Sequence, residues 1–225
     1  MNDNARQLTR QALSLIETAR YRMGVSRFIA VFIDHWAYQQ TGLYSPTEAF
    51  PDDLGAVASK LSHLLSSAMK ADPTSDILGY ILSESGFYKQ GTQFYPTPPE
   101  VARLMAQINL ADTPRPDAEF YEPCCGTGIN TIHWLERVLE TRGAAGIESA
   151  HLYLEDVDRL MVKGCMLQLF HYFDSRGVSP ASMNIVALNT ITRKPMGVAY
   201  YATAKPAEQR RPSGKSSLDT IAVAS

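Results

Sequence analysis

Seven residues, Glu122-Pro123-Cys124-Cys125-Gly126-Thr127-Gly128, follow the short apolar strand pattern Ala118-Glu119-Phe120-Tyr121 and open directly into a helical pattern. A strand that passes through a glycine turn into a helix belongs to an alternating strand–helix architecture. The glycines let backbone come close to a ligand because no Cβ intervenes. The helix start adds unpaired N–H groups and the positive end of a dipole. This segment therefore predicts both a fold class and a place for a small molecule.

The alternation continues downstream. A helix is predicted from Gly128 to Arg142, with Ile129, Ile132, Leu135 and Val138 on one face. A second strand follows at His151–Leu154, a second helix over Leu160–Phe173, a third strand at Asn184–Leu188 and a fourth at Val198–Ala202. Strands separated by single helices imply parallel pairing through right-handed crossovers. The fold class expected is α/β, a doubly wound, mostly parallel and shortened Rossmann-like sheet preceded by a helical N-terminal region.

Residues 1–90 read as that helical region. Leu8, Leu13, Ile16 and Ala19 recur at helical spacing, as do Leu54, Val57, Leu61, Leu64, Leu65 and Met69. The run Phe28–Ile33 continues through Trp36 into Ala37 and Tyr38, which predicts a buried helix, and Ser75 is placed to cap a short one ending near Gly86. Residues 91–204 form the α/β domain. It opens on a loop and then Thr97-Pro98-Pro99-Glu100, which reads as a capping box with Thr97 at the cap. Val101, Leu104, Met105 and Ile108 read as the buried stripe of the helix that follows. Residues 205–225, rich in polar and basic side chains, read as a disordered tail.

Composition narrows the function. A formal charge of -2 argues against binding nucleic acid through bulk electrostatics. Three cysteines, two of them adjacent, give neither zinc spacing nor a disulfide framework, which fits reduced thiols. A polar start and the lack of a run of about 20 apolar residues predict a cytoplasmic protein with no membrane span. No metal site is expected.

The second strand ends in Glu155-Asp156-Val157-Asp158. An acid there is placed to accept hydrogen bonds from the two hydroxyls of a ribose, with Asp156 the first candidate and Asp158 the second. The G-x-G-x-x-G pattern of dinucleotide sites is missing. An adenosine bearing a cationic, carboxylate-carrying tail fits better than a dinucleotide.

With Gln93-Phe94-Tyr95-Pro96-Thr97-Pro98, then Val101–Met105, then Glu122–Gly128, the sequence resembles the N6-adenine DNA methyltransferases, and most of all the modification subunits of type I restriction–modification systems. The likeness covers roughly residues 75–190. It implies S-adenosylmethionine as cofactor and DNA as the substrate class, with partner subunits of a restriction–modification complex or a homodimer. Carried over position by position, Gln93, Phe94, Tyr95 and Thr97 would lie over the cofactor. Glu122, Pro123, Cys125, Gly126 and Gly128 would line its methionine side, Asp156 would hold the ribose, and Asn189 would touch the adenine side.

The chain departs from that family at the catalytic element. The family ends its fourth strand with Asn/Asp-Pro-Pro-aromatic, which accepts from the adenine amino group and stacks on the flipped base. The positional counterpart here is Ala204-Lys205-Pro206-Ala207, and lysine cannot accept a hydrogen bond. No catalytic residue is assigned. Two further readings accompany the DNA methyltransferase: a methyltransferase-fold binding protein without catalysis, acting as a cofactor sensor or anti-restriction factor, and an enzyme that methylates protein or a small molecule.

Overall fold

The computed structural model describes residues 1–87, 95–110, 118–204 and 218–220. It divides into two units, 1–96 and 97–225.

The first unit is helical: α1 (Asp3–Glu17), α2 (Arg20–Met23), α3 (Val25–Thr41), α4 (Gly55–Ala71) and α5 (Ile77–Glu84). α1 buries Ala5, Thr9, Ala12 and Ile16, and α4 buries Ala58, Leu61, Leu65, Ala68 and Met69. Small residues on both faces let the two axes approach closely. α3 carries the aromatic core: Phe32 packs on Trp36 at 5.4 Å between ring centres, and Phe28 on Phe50 at 5.7 Å. The cap of α5 is Asp76, whose carboxylate accepts from the Gly79 N–H at 2.8 Å, and not Ser75 as the sequence reading has it. No described helix is long and apolar enough to cross a membrane.

The second unit is α/β. Its elements are α6 (Pro99–Asn109), β1 (Glu119–Glu122), α7 (Ile129–Glu148), β2 (His151–Asp156), α8 (Arg159–Arg176), β3 (Ser182–Asn189), β4 (Lys194–Ala204) and β5 (Leu218–Thr220). Residues 218–220, within the stretch read as a tail, are thus a strand. The strands lie in sequence order, β1-β2-β3-β4-β5. β1–β2 and β2–β3 are parallel, while β3–β4 and β4–β5 are antiparallel.

Two expectations are corrected by this sheet. The fourth strand does not cross over: only four residues separate Asn189 from Lys194, which pair with each other, and a connection that short makes a hairpin and never a parallel crossover. Nor does the order of the described strands reverse, as it does in a doubly wound sheet. Two successive right-handed crossovers in one direction put α7 and α8 on the same face. The register shows that face as the core. Phe120, Leu152, Met183 and Ala202 lie side by side across four strands, all buried. One position along, Tyr121, Tyr153, Asn184 and Tyr201 form a row on the opposite face, where the three tyrosines are 40–51% exposed.

α6 also differs from expectation. The cap is Pro98, with φ -57° and ψ 138°, and no side chain caps the helix. Pro99 forces the residue before it into extended backbone, so the helix starts one position later than the Thr97 capping box requires. The bulky stripe is the exposed side: α6 buries Ala102 and Ala106 and leaves Val101, Leu104, Met105 and Ile108 in solvent.

Candidate functional site

The parallel ladder of β1, β2 and β3 ends on one edge, and the loops that leave it carry the candidate residues. Alternation along β1 turns Phe120 and Glu122 toward the helices. Glu122 is 7% exposed. Its Oε1 accepts from Asn130 Nδ2 at 2.8 Å and its Oε2 from Thr131 Oγ1 at 2.6 Å. Burial raises its carboxyl to about 7, against the pull of these two donors. Glu122 therefore sits on the boundary between charged and neutral at physiological pH.

The turn after Glu122 is built onto β2. The Cys125 N–H donates to the Glu155 carbonyl at 2.9 Å, extending the ladder by one rung, and the Gly126 N–H donates to Asp156 Oδ2 at 2.9 Å. Gly126 and Gly128 have φ of +53° and +96°, a region L side chains rarely adopt. A Cβ on Gly128 would also stand 3.0 Å from Cys165 Sγ. Gln168 Nε2 holds the Thr127 carbonyl at 2.7 Å from below. Cys125 and Cys165 are buried free thiols in contact, and that contact together with burial pushes the Cys125 thiol well above its ordinary range. Cys124 faces out.

Asp156 does two jobs at the end of β2. One oxygen takes the Gly126 N–H, and the other takes the Asp158 N–H at 2.9 Å. Burial moves its carboxyl above the usual range, opposed by these backbone donors. A carboxylate has about four acceptor sites, so Asp156 retains capacity for a ligand. Asp158 is the N-cap of α8, accepting from the Leu160 N–H at 2.8 Å. Between the two acids, Val157 is 52% exposed, an apolar side chain standing at the edge.

The structure brings Glu122, Pro123, Cys125, Gly126, Gly128 and Asp156 to one edge of the sheet. Asn189 is at the same edge, at the end of β3, where its Oδ1 accepts from the Ile191 and Thr192 N–H groups at 3.1 and 2.9 Å and so caps the β3–β4 turn. Thr97 precedes α6 and is half-buried, Tyr95 is 87% exposed and belongs to the first unit, and Gln93 and Phe94 lie outside the described residues.

Four further residues support the edge and were not singled out in the sequence. Thr190 Oγ1 donates to the Pro123 carbonyl at 2.8 Å. Arg193 grips both oxygens of Glu155 at 2.8 Å, and Glu155 also accepts from the Tyr121 hydroxyl at 2.9 Å. Their only sequence signal is position, two residues near strand ends and two in the short connection Thr190-Ile191-Thr192-Arg193.

The hairpin also sets the direction in which β4 runs, back along β3. Ala204, the last residue of β4, donates its N–H to the Ala181 carbonyl just before β3 starts. Ala204 therefore lies at the edge opposite Asp156, and Lys205-Pro206-Ala207 are outside the described residues. No protein-family model matches this chain, and neither the curated proteins nor the solved structures searched contain a match.

Proposed function

We propose that the chain binds S-adenosylmethionine at the carboxyl edge of β1–β3, as a protein resembling the N6-adenine DNA methyltransferases. The observation that carries this reading is the contact between the Gly126 N–H and Asp156. It joins the glycine turn of the first strand to the acid of the second, the pair an adenosine ligand needs. In this reading Asp156 accepts from the ribose hydroxyls, and Val157 lies against the adenine. The backbone at Gly126 leaves room for the methionine portion, with Glu122 beneath it, while Gly128 packs on Cys165 and keeps the turn tight. Asn189 contributes through the turn it caps and not through its side-chain oxygen. Among candidate groups, the residues present suit this ligand because the edge offers one retained carboxylate acceptor, a position without Cβ at Gly126 and an exposed apolar side chain. The cofactor would bring a sulfonium methyl group for transfer to an amino nitrogen.

DNA is the acceptor suggested by the resemblance, with the base-holding element contributed by a partner subunit, since β4 ends at the opposite edge. That same placement favours a second reading, a methyltransferase-fold protein that binds the cofactor and does not transfer methyl groups.

Calorimetric titration with S-adenosylmethionine tests the shared premise. Binding is expected, and Asp156→Ala is expected to weaken it by ~1.5–3 kcal/mol through loss of a charged acceptor. No heat at millimolar cofactor overturns the reading. Labelled-methyl transfer to DNA, with and without candidate partner subunits, separates the enzyme from the binder.

A further inference from the structure

The surroundings of Glu122 are shaped for an ionised carboxylate. Thr131 Oγ1 stands 2.6 Å from its Oε2, the short range of a hydroxyl donating to a charged oxygen, and Asn130 Nδ2 reaches its Oε1 at 2.8 Å. Both donors come from the first turn of α7. A carboxylate only accepts, which turns the nitrogen of the Asn130 amide toward Glu122 and its oxygen away. That oxygen, Oδ1, is buried and has no hydrogen-bond partner. A buried acceptor without a donor is costly to keep. The site thus holds two acceptors one amide group apart, which a single cationic N–H group satisfies together.

No such cation comes from the walls. Glu122 and Asn130 both line a cavity of about 240 Å³, and among the described residues that line it none is a lysine, arginine or histidine. Burial raises the Glu122 carboxyl to about 7, the Thr131 and Asn130 donors pull against it, and the charge of Asp156 on β2 adds to the rise. In the turn, the Cys124 and Cys125 thiols are pushed up and stay neutral near pH 7. Glu155 is taken by Arg193 and Tyr121. The residues that α6 and α7 contribute to the cavity are uncharged.

We infer, on the S-adenosylmethionine reading above, that the amine of the ligand takes the place of a proton on Glu122. The ammonium donates to the Glu122 carboxylate and to Asn130 Oδ1, and the carboxyl proton leaves to solvent, so one positive charge enters as another departs. Binding is then a proton exchange. A cation beside the carboxylate favours its charged form and lowers its value from about 7 in the free protein. Below that value the ligand has a proton to displace, so affinity falls as pH falls; above it none remains. The ligand's own amine loses its charge at about pH 8, which closes the range from above.

Calorimetric titration of the full chain with S-adenosylmethionine at pH 6, repeated in buffers of different ionisation enthalpy, counts the protons released. About 0.9 proton per ligand is expected there, with about a fifteenfold gain in affinity between pH 5.5 and pH 7. Methylthioadenosine keeps the adenosine and lacks the amino-acid tail, so it is expected to bind without releasing a proton and with level affinity over that range. Glu122→Gln is expected to abolish the release with S-adenosylmethionine and to flatten its pH profile. Asn130→Ala is expected to weaken S-adenosylmethionine by about fivefold or more and to leave methylthioadenosine unchanged. Binding of S-adenosylmethionine with no proton released, or an equal release with methylthioadenosine, overturns the exchange and leaves the cofactor reading standing. No heat with either compound overturns the cofactor reading itself, and the exchange with it.

Discussion

Arg193 holds both carboxylate oxygens of Glu155 at 2.8 Å while its own backbone sits at φ +57°, a left-handed conformation rare for a residue with a side chain. The ion pair fastens the β3–β4 turn to the second strand, directly above the hydroxyl of Tyr121 that shares the same acid. Glu155 is 8% exposed, so it depends on these two donors.

Arg193→Met is therefore expected to lower the melting temperature more than a comparable surface substitution, because it leaves a buried carboxylate with a single partner. Glu155→Gln is expected to cost less in that background than in the parent chain. A double-mutant cycle by thermal denaturation reads this coupling. Additive effects would show that the pair does not hold the turn.

Glu122 makes stability depend on pH in the sense opposite to a salt-bridged acid. Its folded value, about 7, lies above the ordinary 4.5, so between those two values the folded state binds the extra proton. The favourable contribution is complete below about pH 4.5 and is lost as pH rises through 7, for a total of about 3 kcal/mol. Glu122→Gln is expected to flatten this slope and to be the more stable protein at pH 8. Urea denaturation at pH 5 and pH 8 checks it. An unchanged slope would mean that Glu122 ionises freely.

Gly128→Ala combines two costs, a Cβ 3.0 Å from Cys165 Sγ and a backbone at φ +96°. A loss of about 2 kcal/mol is expected. Adding Cys165→Ala is expected to recover only the steric share, since the backbone strain remains. Full recovery would place the whole effect in the thiol contact.

Along α6 the small residues matter more than the large ones. Ala106→Leu, at a 4% exposed position facing the unit's interior, is expected to cost 1–3 kcal/mol by overpacking. Ile108→Ser, at a 66% exposed position, is expected to stay within about 0.5 kcal/mol. Chemical denaturation of the two variants ranks them directly, and the reverse order would refute the packing described for this helix.

Periodicity located nearly every helix and strand because it reports which side chains share a face. It does not report what lies opposite that face, so the spacing of Val101, Leu104, Met105 and Ile108 predicts burial where Ala102 and Ala106 make the contact. Strand direction was legible in principle. Thr190-Ile191-Thr192-Arg193 is too short for a crossover, whereas the regular strand–helix rhythm upstream points to a parallel strand. At the site, the glycine turn and Asp156 were visible because their chemistry needs particular residue types at strand ends. Asp158 and Asn189 also bear side-chain oxygens at strand ends, and both accept from backbone N–H groups beside them, as Asp156 does from Gly126 and Asp158. Composition cannot tell these acids apart; the placement of nearby N–H groups shows that Asp158 caps α8 and that Asp156 ties the glycine turn to β2.

The burial of Cys125 and Cys165 has a practical side. With those two thiols enclosed and Cys124 facing solvent, the native chain offers a single site to a maleimide dye. That site lies within the loop that follows β1. Partial burial and the nearby acids Asp156, Glu122 and Glu155 push the Cys124 thiol up, so coupling calls for a mildly alkaline buffer. A fluorophore there would report directly on whatever enters the turn, without any cysteine having to be removed first.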